Sequence, residues 1–175
     1  GTVWMPHQWF LWKSMLDLGR ADLAFKIAER GLNVYSAATD DTYQTWENFR
    51  SATGSGDGWP QFSGLSTPVL SWFSAYYRPG TITTGYEIWI QKQSFGLDNS
   101  RYEARIAFDE ATASHSRDLV ACLNRSYTYK ATFNGQAIKA TVLYPGLLNV
   151  HLPATNKAGT LLIQRVSSAG SPVSN

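Results

Sequence analysis

The sequence contains little cysteine, little histidine and little charge. Its one cysteine, Cys122, excludes an internal disulfide framework. With only three scattered histidines, it also leaves no ligand spacing typical of a zinc site. Charged residues make up 16% of the chain, where ~25% is usual, so Ser, Thr, Asn, Gln and Tyr must cover much of the surface. This composition favours an extracytoplasmic protein, periplasmic or secreted, that handles sugars.

Neither nucleic acid nor a membrane is indicated as a partner. The formal net charge is +2, and it does not come from a cluster of basic residues of the kind that binds nucleic acid. No apolar run reaches the ~18 residues that suggest a membrane-spanning helix. We therefore expect no nucleic-acid partner and no membrane partner.

The distribution of tryptophan changes near residue 80. Six of the seven tryptophans precede Pro79 and only Trp89 follows it, while strand-like alternation is found almost entirely after this point. We therefore divide the chain into a helical part, residues 1–79, and a β-rich part, residues 80–168. The Ser-rich residues 169–175 are expected to form a flexible tail.

Three segments of the first part have helical periodicity. The first covers residues 7–18, where apolar residues lie nearly all around the helix. The second begins with Asp22 as its N-cap and runs to about residue 37. The third opens at Ser66, with Pro68 in its first turn. Three such helices cannot cover one another's apolar surfaces, so further helices are expected around them.

Short alternating runs separated by turn residues make up the second part. Asn134-Gly135 lies between two of these runs and predicts a tight hairpin, because both central residues of a type I′ turn have positive φ. Pro145-Gly146 and Gly159 mark further turns. The pattern predicts an antiparallel β-sandwich of roughly seven strands.

A carboxylate among aromatic residues identifies the candidate site. Glu47 follows Trp46 and precedes Phe49, and a glycine-rich loop from Ser51 to Trp59 comes next. A carboxylate can supply or remove protons, while flat aromatic faces receive the apolar faces of a sugar ring. The alternative is that Glu47 is a solvated acid at a strand end and that the tryptophans belong to the core.

The first part also resembles a known group of enzymes. The motifs lie in the family's order: Gly1-Thr2-Val3-Trp4-Met5-Pro6, then Glu47-Asn48-Phe49 before Thr53-Gly54-Ser55-Gly56, then Gln61-Phe62-Ser63-Gly64-Leu65-Ser66. They resemble the end of the catalytic domain in the clan of glycoside hydrolase family 63 and the family 37 trehalases, which includes mannosylglycerate hydrolase-like enzymes. The resemblance covers residues 1–79. It departs from the family pattern at Thr2-Val3 and Gly64-Leu65.

This resemblance implies a fold and a role for the chain. Residues 1–79 are expected to be the C-terminal helices of an (α/α)6 toroid, with the β-sandwich as an accessory domain behind it. The rest of the toroid is then a partner of this chain. The family's general acid is an Asp upstream, so the chain is expected to be a fragment of an inverting, exo-acting glycoside hydrolase that cleaves a short α-linked glycoside. No metal and no organic cofactor are expected.

The resemblance also assigns site residues. Glu47 takes the place of the general base, and Trp4, Trp46, Trp59 and Phe62 take places that line the sugar pocket. Three further residues are expected to bind the sugar hydroxyl groups, independently of the resemblance: His7 and Gln8, which follow Trp4 at the start of the first helix, and Gln61.

Other interpretations stay open. In a carbohydrate-binding or purely structural module, the tryptophans stack or pack and Glu47 is incidental. A phosphorylase on a similar toroid is a third interpretation, and it requires phosphate-binding residues in place of a base. Asp57 is the reserve candidate for the catalytic acid or base, although an Asp between glycines is commonly a turn former. A capping or packing role for His7 is an equal alternative.

Overall fold

The computed structural model describes residues 1–166. The predicted flexible tail, residues 169–175, lies outside this range. Within the described residues the helices are α1 (Met5–Asp17), α2 (Ala21–Thr42), α3 (Ser63–Ser66) and α4 (Pro68–Tyr77). The strands of the same residues are β1 (Thr2–Val3), β2 (Asn48–Arg50), β3 (Gly56–Asp57), β4 (Thr81–Thr83), β5 (Ile88–Phe95), β6 (Arg101–Phe108), β7 (Arg117–Cys122), β8 (Tyr129–Phe133), β9 (Gln136–Ile138), β10 (Ala140–Tyr144), β11 (Leu147–Leu152) and β12 (Gly159–Arg165).

The strands form three antiparallel sheets. A small three-stranded sheet has the order β1-β2-β3, a four-stranded sheet the order β10-β11-β7-β4, and a five-stranded sheet the order β5-β6-β12-β8-β9. Asn134 and Gly135 have φ values of 50° and 80° and join β8 to β9. The predicted tight hairpin at these two residues is therefore confirmed.

The four-stranded sheet lies between the helices and the five-stranded sheet. Every residue of β7 is buried. Its Val120 and Cys122 belong to one hydrophobic cluster with the helical residues Trp12, Trp72 and Tyr76. The intervening strand residues enter a second cluster with the five-stranded sheet. Because successive strand residues point to opposite faces, one apolar strand contributes to both clusters.

The helices begin within two residues of the predicted positions, but α2 continues to Thr42 instead of ending near residue 37, and the N-cap of α4 is Thr67 instead of Ser66. Pro68 lies in the first turn of α4, as expected, and Gly19, with a φ of 65°, follows the end of α1. The predicted role of Asp22 is wrong, because the N-cap of α2 is Arg20 and Asp22 lies within the first turn. The side chain of Asp22 instead accepts two hydrogen bonds from the Arg20 guanidinium, both 2.9 Å long.

The predicted architecture of an (α/α)6 toroid with a C-terminal β-sandwich is wrong. The described residues form three α-helices of ten residues or more, one single-turn α-helix and a short 3-10 helix at Leu97–Asn99, together with three antiparallel sheets. Part of the apolar surface of these helices is covered by the four-stranded sheet, through Val120, Cys122 and Leu147. Helical periodicity reveals that a face is apolar, but it does not reveal whether a helix or a sheet covers that face. The small fold contains no ring of paired helices within residues 1–166.

Candidate carbohydrate site

The three-stranded sheet positions the candidate site. Val3 of β1 pairs with Phe49 of β2, and Asn48 of β2 pairs with Asp57 of β3. Phe49 is buried and its ring meets Tyr35 of α2 edge to face, with the centroids 6.5 Å apart. The N-terminal strand, the Glu47 segment and the glycine-rich loop are therefore held together on α2.

Glu47 is held in position by Trp59. Its carboxylate oxygen Oε2 accepts a hydrogen bond from the backbone N–H of Trp59 at 3.0 Å. Its own N–H donates to the Trp59 carbonyl, also at 3.0 Å. Gly58, directly before Trp59 in the loop, has a φ of 74°, and a Cβ there would lie 2.6 Å from Oε2. Only glycine therefore combines this turn with this close approach to the carboxylate.

The aromatic residues of the site have two different roles. The indole of Trp46 lies against Gly56, where a Cβ would be 2.1 Å from the ring. Its Nε1 donates to Thr42 Oγ1 at 3.3 Å, so this ring is packed between α2 and the loop. Trp59 and Phe62 are instead 69% and 43% exposed. They offer ring surface to a ligand, and within the described chain this surface is open.

The remaining predicted sugar contacts lie on the edges of this region. Trp4 follows β1, directly before α1, and its ring is 6.4 Å from that of His7, centroid to centroid. His7 is exposed and Gln8 half-buried in the first turns of α1. Gln61 is exposed, with a positive φ of 63°, and precedes Phe62, whose N–H donates to the Thr45 carbonyl. Direct hydrogen bonds thus join Glu47 to Trp59. The pairing of β1 with β2 places Trp4, which follows β1, next to the segment that contains Glu47.

Asp57, the reserve candidate, is partly engaged. Its Oδ1 lies 3.4 Å from an Arg50 guanidinium nitrogen, in an exposed ion pair.

Among residues 1–166, no group of three or more His, Cys, Asp or Glu side chains is arranged to hold a metal ion. Within the same residues, no helix is both long and apolar enough to cross a membrane.

A second polar cluster, which the sequence did not indicate, joins the helices to the sheets. Asp118 is buried and His151 Nδ1 lies 2.7 Å from its Oδ1. The other oxygen of Asp118 accepts the N–H of Ala21 at 2.9 Å, at the start of α2. His151 Nε2 lies 2.9 Å from Thr141 Oγ1. No sequence motif signals this cluster, because its members come from three strands and a helix.

Arg117 is the centre of a third cluster beside it. Its side chain is 0% exposed, and its Nε donates to Glu87 at 2.6 Å. Its other nitrogens donate to four acceptors: the carbonyl oxygens of His115 and Thr155, Thr112 Oγ1 and Asn156 Oδ1. This cluster fixes the loops at one end of β7. Its charge is matched within the fold, so it does not point to a ligand.

Asp17 links α1 to the loop before β5. Its carboxylate accepts the N–H groups of Tyr86 and Glu87, at 2.7 and 3.1 Å. Burial raises the pKa of Asp17 above its usual value, and these two backbone hydrogen bonds oppose the rise. Burial lowers the pKa of Lys13, one turn earlier on the same helix. We read both groups as parts of the helix–sheet junction.

No protein family, curated protein or solved structure matches this chain.

Proposed function

We propose that this chain carries the general base and the sugar-stacking aromatics of an inverting glycoside hydrolase. The observation that carries the proposal is the pairing of Glu47 with Trp59. The carboxylate is oriented by the backbone N–H of Trp59, and the same residue is largely exposed. A fixed carboxylate next to an exposed indole suits a sugar whose ring stacks on the aromatic face while a water is activated at C1.

The proposed mechanism divides the work between two carboxyl groups. Glu47 removes a proton from a water molecule as that water attacks C1, and a carboxylic acid on the opposite face of the sugar protonates the leaving oxygen. Inversion needs ~6.5–9.5 Å between the two carboxyl groups, so that the water fits between them. The resemblance to the family 63 and family 37 clan assigns the acid to an upstream Asp.

The aromatic side chains supply binding in this proposal. Trp59 and Phe62 remove the apolar face of the sugar from water, which contributes ~25 cal/mol per Å². Gln61 and Gln8 are the proposed hydrogen-bond partners of the hydroxyl groups. Trp46 is packed against Gly56, and we assign it to shaping the loop that holds Glu47.

A non-catalytic carbohydrate-binding module is the second candidate. The specific observation in its favour is the exposure of Trp59 and Phe62, because an exposed aromatic surface can bind a saccharide without any chemistry. In that case Glu47 is a hydrogen-bond partner of the sugar.

Steady-state kinetics of the intact enzyme separate the two candidates. We expect Glu47→Gln to lower kcat by ~10²–10⁴-fold, because this is the usual contribution of a general base, on whichever nitrophenyl α-glycoside the wild type cleaves. Trp59→Ala should mainly raise KM. Glu29→Gln, an exposed acid on α2, is the matched control and should leave both constants unchanged. A Glu47→Gln variant with wild-type kcat would refute the catalytic role and leave the binding module.

A further inference from the structure

We propose that the outer face of the five-stranded sheet binds an acidic saccharide, a sugar chain that carries carboxylate or sulfate groups. This site is separate from the Glu47 region and does not depend on its proposed chemistry. We call it the basic face, and it comprises Trp89, Lys92, Arg101, Glu103, Arg105, Lys130, Thr160 and Gln164.

Strand alternation and register define which side chains share this face. In β6, Tyr102, Ala104 and Ile106 are buried in the core, so Arg101, Glu103 and Arg105 point outward. Paired residues of antiparallel strands project to the same side. Arg105 pairs with Lys92 of β5 and with Thr160 of β12, which places these three residues in one row. Trp89, opposite Ala107, occupies the next row.

Strand pairing also shows which residues lie at the other end of the basic face. Arg101 pairs with Gln164, and Gln164 pairs with Lys130 of β8. Four cations and one carboxylate therefore share the face, for a formal charge of +3, whereas the whole chain carries only +2. The positive charge of the protein is thus concentrated on this sheet.

The charges of the basic face are only partly matched within the fold. Glu103 forms an ion pair with Arg101, in which a guanidinium nitrogen lies 2.7 Å from a carboxylate oxygen. None of the ion pairs formed within residues 1–166 involves Lys92 or Arg105. Like charges directly opposite each other on a sheet are destabilising, so an anion bound between Lys92 and Arg105 would relieve their repulsion.

The surface between these two cations has the shape of a shallow depression. Its volume is about 340 Å³, and Lys92, Ser94, Glu103, Arg105 and Thr160 contribute to its lining. The hydroxyl groups of Ser94 and Thr160 can exchange hydrogen bonds with sugar hydroxyls, while the cations bind a carboxylate or sulfate group.

Trp89 favours a saccharide over a simple anion. The ring is 58% exposed on the strand that also carries Lys92, and an exposed indole next to a charged depression offers a flat stacking surface. Duplex DNA is the less favoured ligand. Proteins that bind it commonly make ~6–10 phosphate contacts, and the basic face has four cations, of which Arg101 is already paired with Glu103.

Affinity measurements with the full chain test the proposal. We expect the wild type to bind polygalacturonate and heparin, to bind neutral dextran much more weakly, and to lose affinity for the acidic polymers as salt is added. The double variant Lys92→Ala/Arg105→Ala should weaken binding about tenfold, because each exposed charge contact contributes a few-fold. Trp89→Ala should also weaken it about tenfold through the lost stacking.

Two control variants make the result specific. Lys26→Ala/Arg30→Ala removes the same number of positive charges from exposed positions on α2 and should leave the affinity unchanged. Tyr43→Ala removes an aromatic ring that is 87% exposed at the end of α2, outside both proposed sugar sites, and should also leave the affinity unchanged. The proposal is overturned if the α2 double variant loses as much affinity as Lys92→Ala/Arg105→Ala. It is equally overturned if dextran or duplex DNA binds as tightly as polygalacturonate, or if the acidic polymers do not bind.

Discussion

The indole of Trp72 lies directly against the backbone of Gly31. A Cβ at Gly31 would be 2.4 Å from Cζ3 of the ring, and Trp72 is fully buried between the helices. The glycine thus allows α2 and α4 to approach each other closely. At this position, the absence of a side chain is itself part of the packing.

Gly31→Ala should therefore destabilise the protein although alanine is the better helix former. The gain in helix propensity is ~1 kcal/mol, while the overpacking cost is ~1–3 kcal/mol and at 2.4 Å belongs at its upper end. We expect the free energy of unfolding to fall by about 1–2 kcal/mol, measured by urea titration. Gly64→Ala in α3 is the control, because a Cβ there has nothing within 4 Å. If both variants change stability equally, the contact with Trp72 is not the cause.

Asp17 should make the protein less stable as the pH rises through the acid range. Burial raises its folded-state pKa above 3.8, so the folded state favours the protonated form. Below pH 3.8, Asp17 is protonated in both the folded and the unfolded state. Between pH 3.8 and the folded-state pKa, Asp17 is protonated in the folded state and ionised in the unfolded state. The stability of the wild type relative to Asp17→Asn should therefore decrease across this window. Urea unfolding of both proteins at a series of pH values measures it, and a difference that is constant or grows with pH would contradict the assignment.

Asp22 should show the opposite dependence. Its hydrogen bond to Arg20 lowers its pKa from 3.8 to about 2, so the ionised form is favoured in the folded state. The stabilisation that the ionised Asp22 side chain gives the folded state is present above pH 3.8 and is lost as the pH falls towards 2. The stability of the wild type relative to Asp22→Asn should therefore diminish on acidification, measured in the same titrations. A difference that grows on acidification would show that the Arg20 interaction is not retained in solution.

Arg117 should be among the residues least tolerant of substitution. Its buried guanidinium has hydrogen bonds to Glu87 and to four other acceptors. Arg117→Met should lower the free energy of unfolding by ~3–5 kcal/mol, because it removes the guanidinium from the partly buried Glu87 and from the four other acceptors, and the imidazole of His115 and the hydroxyl of Thr112 are then the remaining contacts of Glu87. The exposed control Arg30→Met should change stability by no more than ~0.5 kcal/mol. Calorimetric unfolding of both variants checks this, and near-equal values would mean that the network contributes little.

Cys122 should be protected from thiol reagents in the folded protein. It is the last residue of β7, is 2% exposed and belongs to the cluster formed with the helices. Burial raises the pKa of its thiol, and only the thiolate is nucleophilic. In the native protein, we expect Ellman's reagent to modify the thiol of Cys122 only as fast as the fold opens. In concentrated guanidinium, where the protein is unfolded, the thiol should react quickly. Rapid reaction of the native protein would mean that this part of the cluster is open to solvent.

Local features of this fold could be read from the sequence. Pro68 begins α4 because its missing N–H has no partner in a first turn anyway, and Asn134-Gly135 forms its hairpin because both residues tolerate positive φ. In the candidate site, the sequence placed Glu47 among aromatics and before a glycine-rich loop. It could not tell that Trp46 packs against Gly56 while Trp59 stays exposed, because neighbouring residues in the sequence do not show which groups the fold brings against each ring.

Only the tertiary structure decided what these elements pack against. Alternation and helical periodicity report which face of an element is apolar, and they are silent on what covers that face. The helices could therefore be read as part of a toroid, although Val120 and Cys122 of β7 contact their cluster. The pairing of β1 with β2, the hydrogen bond from Trp59 to Glu47 and the basic face each join residues that are distant in sequence. Such long-range contacts depend on the relative arrangement of elements, and no short stretch of sequence specifies that arrangement.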